Sequence, residues 1–262
     1  MRTFFTSFIL FIVLCSFINT YKFPLNLTPF KNDLEIENIK GKVKSTTENV
    51  YTSVEKFGQY QRNKFSSRNV SNYNIQGYLI GFARYSEDGS TSLKGEVIYK
   101  YDSQKNIIEQ YRKYEDGTIV NQHSYKYNSK GLKIERYDHG YQKKIVSKII
   151  YVYDSENNII EEKKYKEGDL QSNIIYKYDG KNNLILKKML KNNKLVSETN
   201  YKYNSDYNLI EEIELSPIGN SQYKSTYKYS VFDKKGNWTK RISIYAFPEL
   251  EIYIVERSIL YY

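Results

Sequence analysis

Hydrophobic and polar positions alternate with a period of two over short, recurring stretches of the chain. In "IVSKIIYVY" Ile145, Ser147, Ile149, Tyr151 and Tyr153 share one parity, and in "LQSNIIYKY" Leu170, Ser172, Ile174, Tyr176 and Tyr178 do the same. The other parity carries Lys126, Lys177, Lys202 and Lys228, each between two tyrosines. Successive side chains of a strand point to opposite faces, so the pattern predicts strands with an apolar, tyrosine-lined face backed by a polar one. After the second tyrosine comes Asp102, Asn128, Asp154, Asp179 or Asn204, and four residues on Asn106, Leu132, Asn158, Asn183 or Asn208. Asp and Asn bond their own downstream backbone and tolerate left-handed geometry, which predicts a turn there. A second strand such as "NIIEQYRKY" and a second turn, "EDG", "HG", "EGD" or "KNN", lead to the next tyrosine pair, so each unit is one β-hairpin.

The unit recurs. "YKYDSQKNIIEQY" starts at Tyr99, and its relatives start at Tyr125, Tyr151, Tyr176, Tyr201 and, more loosely, Tyr227, at intervals of 25 or 26 residues. A fixed period of this length marks a repeat architecture. The expected fold is all-β: an antiparallel meander of hairpins forming a twisted sheet, open or curled. The second strands carry charge on both parities, as in "IEQYRK" and "IEEKKY", which favours an open, partly wet sheet over a closed shell with a dry interior.

The ends break the period. Residues 38–98 read as strands capping the N-terminal edge, 99–226 as the hairpin array, and 227–262 as the last repeat with a C-terminal cap. Residues 1–20, with one Arg and then an apolar stretch from Phe4 to Ile18, match a secretory signal and fall short of a membrane span. Residues 21–37 read as a tether. The single cysteine, Cys15, ends "IVLC", which resembles a bacterial lipobox and makes Cys15 a candidate lipidation site. A lipoprotein and a freely secreted product both remain open, and the expected location is outer membrane-attached, periplasmic or secreted.

Composition changes the picture at two points. With 29 Tyr against 12 Phe and 1 Trp, the chain suits sheets whose faces stay partly wet. The net charge of +10 invites a nucleic-acid reading, but 40 basic residues are interleaved with 30 acidic ones, the pattern of a solvated mixed-charge face.

Candidate chemistry is sparse. Tyr101, Tyr127, Tyr153, Tyr178, Tyr203 and Tyr229 are expected to form a ladder on one face, a candidate surface for carbohydrate or another envelope protein. His123 and His139 fall in different repeats with no nucleophile elbow near them, which gives no hydrolytic triad. Glu161/Glu162 and Glu211/Glu212 are strand neighbours facing opposite ways and do not form acid–base pairs. Asp102, Asp154 and Asp179 offer one carboxylate per turn, which reads as turn formation and not as calcium ligation. No metal site, cofactor or catalytic residue is assigned; a glycan-processing enzyme and a purely structural surface protein are the alternatives to a binding module.

The recurrence of Y-x-Y-D followed by a short Asn or Gly turn, from Tyr99 to Arg241, resembles the YD repeats of the bacterial Rhs family. The opening "GKVKSTTENVYTSVEKFG" with the late "DKKGNWTKR" is similar to small exported bacterial proteins of unassigned function that carry such repeats. The resemblance implies a repeat scaffold at the cell surface. With few units and no further domain after them, it does not imply a toxin-enclosing shell.

Overall fold

The computed structural model describes residues 32–217, 221–246 and 249–262. Their strands run β1 (Val43–Lys56), β2 (Gln59–Tyr73), β3 (Leu79–Tyr85), β4 (Thr91–Tyr101), β5 (Ile107–Tyr114), β6 (Ile119–Tyr127), β7 (Lys133–His139) and β8 (Ile145–Tyr153). They continue as β9 (Ile159–Lys166), β10 (Asp169–Tyr178), β11 (Leu184–Lys191), β12 (Lys194–Tyr203), β13 (Leu209–Ser216), β14 (Ser221–Phe232), β15 (Trp238–Ala246) and β16 (Leu250–Tyr261). Each pairs antiparallel with its sequence neighbour, as the hairpin reading requires, and β1 pairs with β16 from Val43↔Tyr261 to Thr52↔Tyr253.

That last pairing corrects the expected open or curled sheet: the meander closes into a sixteen-strand barrel. The end regions read as edge-shielding caps are staves of the same wall, and each removes the other's free edge. The seam is held across the interior face by Arg257, whose Nε donates to Glu48 Oε1 at 2.8 Å while its guanidinium lies 3.6 Å from the centre of the Trp238 ring.

One bulge recurs at the same place in each regular unit. The register slips between Lys100/Tyr101, Lys126/Tyr127, Val152/Tyr153, Lys177/Tyr178 and Lys202/Tyr203, just before each turn. A bulge bends its strand and increases local twist, so five bulges in phase bend the sheet repeatedly in the same sense toward closure. The turns that follow form as expected. Asp154 Oδ1 accepts the Asn158 amide N–H at 2.8 Å, its Oδ2 accepts Asn158 Nδ2 at 3.1 Å, and Asn157 takes φ 64. Asp102 and Asp179 bind Asn106 and Asn183 in the same way.

The tyrosine parity faces inward. Tyr151, Tyr176, Tyr201 and Tyr227 are buried with Ile149, Ile159, Leu184 and Leu209 in one cluster along β8–β14. The lysine parity faces out and pairs across strands: Lys100 with Glu109 at 2.8 Å, Lys188 with Glu198 at 2.8 Å, and Lys202 and Lys224 with Glu211 at 2.7 and 2.9 Å.

Residues 32–41 strap one mouth of the barrel, starting inside the stretch assigned to the tether. The strap opens with a helical turn, α1 (Asp33–Ile36), capped reciprocally by Asn32 and Glu35. Leu34 N–H donates to Gly77 O in the β2–β3 turn at 3.2 Å, Asn38 Nδ2 to Asp206 O in the β12–β13 turn at 3.0 Å, and Lys40 N–H to Asn237 Oδ1 at 2.7 Å. In the strand order the first two turns lie six strands apart one way and ten the other. Four residues span at most about 13 Å, whereas a round barrel of this size measures roughly 30 Å across. The mouth is therefore drawn in around the strap. Gly77 permits this contact: it takes φ +86, and a Cβ there would lie 2.7 Å from the Asn32 side chain.

Candidate functional site: the lumen

Position eleven after the first tyrosine of each unit decides what the lumen is made of. Gln110, Arg136, Glu162, Lys187 and Glu212 stand directly across from Tyr99, Tyr125, Tyr151, Tyr176 and Tyr201, and Arg241 stands across from Tyr229. Even strands thus contribute a tyrosine and odd strands a polar group to one inward belt, and from Arg136 to Arg241 the charges alternate in sign. The charge on both parities of the second strands is explained here. One parity meets bulk water and the other meets a wet interior, so the charge pattern does not require an open sheet.

The inward belt is not dry, since Arg136, Glu162, Lys187 and Glu212 are only partly buried. Glu37 on the strap keeps an exposed surface, yet it sits within electrostatic reach of the inward-facing Arg257, Glu48 and Arg241. The enclosing wall pushes its carboxyl up to about 7, opposed by Arg257 and assisted by Glu48 and Asp33. Burial likewise raises Glu162, against the pull of Arg136.

The tyrosine ladder lies inside this lumen, with its hydroxyls committed to the wall. Tyr127, Tyr178, Tyr203 and Tyr229 donate to the carbonyls of Ile107, Ile159, Leu184 and Leu209 at 2.7, 2.8, 3.0 and 2.7 Å, and Tyr153 donates to Lys133 O. Each bond ties a unit to the opening residue of the preceding unit's second strand. Tyr101 differs: it is 45% exposed, and Tyr99 makes the corresponding bond, to Leu79 O at 2.9 Å. With the hydroxyls committed, what these tyrosines present is ring surface.

Glu161 faces out, pairing with Lys163 at 2.9 Å, while Glu162 faces in opposite Tyr151; Glu211 and Glu212 divide the same way. The histidines, far apart in the repeat numbering, lie on neighbouring strands. His139 Nε2 meets Ser124 Oγ at 2.8 Å on the outer face, and His123 Nδ1 meets Asp138 Oδ1 at 2.9 Å on the inner face. Ser147 Oγ donates to Asp138 Oδ2 at 2.6 Å and Arg136 Nε to Oδ1 at 3.0 Å. The hub of this cluster is a carboxylate and not an imidazole, which is the wrong order for a Ser-His-Asp relay. Against the cost of burial, the bonds from His123 and Ser147 and the Arg136 charge hold Asp138 well below the usual carboxylate range.

Sequence reasoning missed the belt and the cluster. The signal was the repeat alignment itself: position eleven is charged or amide in each unit from Tyr99 to Tyr201, on a parity shared with buried tyrosines. Cys15 and the signal lie outside the described residues.

No family model matches the chain, and no curated protein matches it in sequence. Among solved structures it is similar to a porin-like protein from Bacteroides uniformis, at TM-score 0.54 and 13% identity over 83% of this chain and 98% of that one. A porin-like protein from Bacteroides vulgatus aligns at TM-score 0.43 and 12% identity over 82% and 97% of the two chains. The first likeness extends to the fold.

Proposed function

We propose that this chain is an exported, non-enzymatic barrel of the bacterial envelope that works in water and holds a carbohydrate in its tyrosine-lined lumen. The belt carries this reading. Flat rings alternate with Gln, Arg, Glu and Lys side chains along the inward belt from β4 to β11, which supplies stacking surface for sugar faces and donors and acceptors for hydroxyls. Neighbouring carboxylates point to opposite faces, and Asp138 is held by three partners, so neither arrangement supplies a free acid–base pair for hydrolysis.

The outer face separates this reading from a pore-forming one. A membrane-spanning barrel presents an apolar band about 25 Å tall, and a Lys or Arg at its midplane costs about 2–4 kcal/mol. Here Lys148, Lys163, Lys188 and Lys224 face outward at mid-strand, paired with Glu135, Glu161, Glu198 and Glu211. These paired outward charges support a wall that stands in water. Expression of the exported chain and sedimentation without detergent should give a monodisperse species, and a glycan array with the same sample should show saturable binding. Recovery only in detergent would remove the aqueous reading; a silent array would leave a structural surface protein.

A further inference from the structure

The unit formed by β6 and β7 departs from the rule of its neighbours at three inward positions. Where the β8–β9, β10–β11 and β12–β13 units open their second strand with buried Ile159, Leu184 and Leu209, this unit has Lys133. Where the two units after it place Ile149 and Ile174 two residues before the first tyrosine, it has His123, and Asp138 stands opposite. The backbone pairing is unchanged, since Tyr127↔Lys133 matches Tyr153↔Ile159 and Tyr178↔Leu184. The architecture thus accepts an aliphatic residue at 133, yet a lysine is there. Its Nζ lies 4.0 Å from the centre of the Tyr125 ring and has no carboxylate within ion-pair distance among the described residues. Burial, reinforced by Arg136 and opposed by Glu162 and Asp33, lowers its pKa to about 8. An ammonium held against a ring beside a guanidinium, with no carboxylate in ion-pair contact among the described residues, is an incomplete arrangement.

The neighbouring acids do not complete it. Asp138 is engaged by His123, Ser147 and Arg136, with Lys164 3.5 Å away. Glu162 feels Arg136, Lys187 and Lys133 together, and shares a hydrogen bond with Tyr176. Asp33 on the strap also acts on Lys133, but its Oδ2 accepts the Leu79 N–H at 2.7 Å, so none of the three acids makes a close pair with Lys133.

We propose that the β6–β7 wall is an oxyanion subsite, in which Lys133 and Arg136 receive the acidic group of the lumen's ligand. The proposal rests on the carbohydrate reading above and deepens it: the ligand is an acidic saccharide, and its carboxylate or phosphate supplies the close ion pair that Lys133 lacks. Tyr125 and Tyr127, beside the lysine, offer ring surface to the attached sugar.

The test compares galacturonate, galactose and inorganic phosphate by calorimetry on the full exported chain and on Lys133→Leu, which restores the residue type of the neighbouring units and so keeps the fold. The expected result is that galacturonate binds at least about tenfold more tightly than galactose and loses about tenfold in Lys133→Leu, as expected for a charge-assisted contact. Equal binding of galacturonate and galactose, unchanged in the variant, would overturn the subsite and leave the carbohydrate reading standing. Binding of phosphate that depends on Lys133, with neither sugar bound, would support the subsite and overturn the carbohydrate reading. If none of the three binds, both fall.

Discussion

The β10–β11 unit and the β6–β7 unit share a period, a turn and a bulge, and differ in what they put inside. The first buries Tyr176 and Leu184 at 6% and 2% exposure, and Tyr178 donates to the backbone of the unit before it. The second places Lys133 where Leu184 would be and gathers His123, Arg136 and Asp138 beside it. One unit is built to hold the wall together, and the other carries polar groups that the wall does not need. Regular repetition therefore marks the scaffold, and departure from it marks the place to look for chemistry.

The comparison breaks most severely if the lysine is moved. Leu184→Lys should cost about 4 kcal/mol, because an uncompensated charge would replace a buried aliphatic with no carboxylate arranged to meet it. A cost under about 1 kcal/mol in denaturant melts would mean that the interior accepts a lysine anywhere, and that Lys133 is unexceptional. Tyr176→Ala should cost about 3 kcal/mol through loss of a packed ring from the β8–β14 cluster; a negligible effect would show that the cluster is not a core.

The reverse exchange, Lys133→Leu, should stabilise the protein by about 1–2 kcal/mol at neutral pH. The folded state lowers the pKa of Lys133 from the ordinary 10.5 to about 8, so its penalty is absent above the ordinary value, grows as pH falls between the two and is fully present below 8. The advantage of the variant should therefore shrink as pH rises above 8, and a pH-independent gain would point to packing alone. Tyr178→Phe, which removes only the 2.8 Å bond to Ile159 O, should cost about 1 kcal/mol. If it matched a full truncation to Ala, the ring would contribute nothing to the wall. Lys177→Ala, on the outer face of the same unit, should stay within about 0.5 kcal/mol. A loss as large as that of Tyr176→Ala would invert the assignment of faces.

Much of the architecture is legible in the chain because it is local. The alternation that puts Tyr176 and Tyr178 on one face and Lys177 on the other follows from the strand period. The turn after Tyr153 follows from Asp154 and Asn158, whose bonds close within five residues. Antiparallel neighbours follow from hairpins too short to pair any other way. Closure is not local. It depends on Val43–Thr52 meeting Tyr253–Tyr261 at opposite ends of the chain, on five bulges bending in phase, and on Arg257 reaching Glu48 across the seam. No periodicity within a single unit encodes whether accumulated twist will bring the ends together.

The lumen was hidden for the same reason. Charge at Glu162 and Lys187 reads as solvent exposure, and it is exposure of a kind, but whether that water is outside a sheet or enclosed by one depends on the whole wall. Tertiary structure decided that the tyrosine face would look inward across a shared space, and that Lys133, Arg136 and Asp138 would meet there with a strap across the mouth.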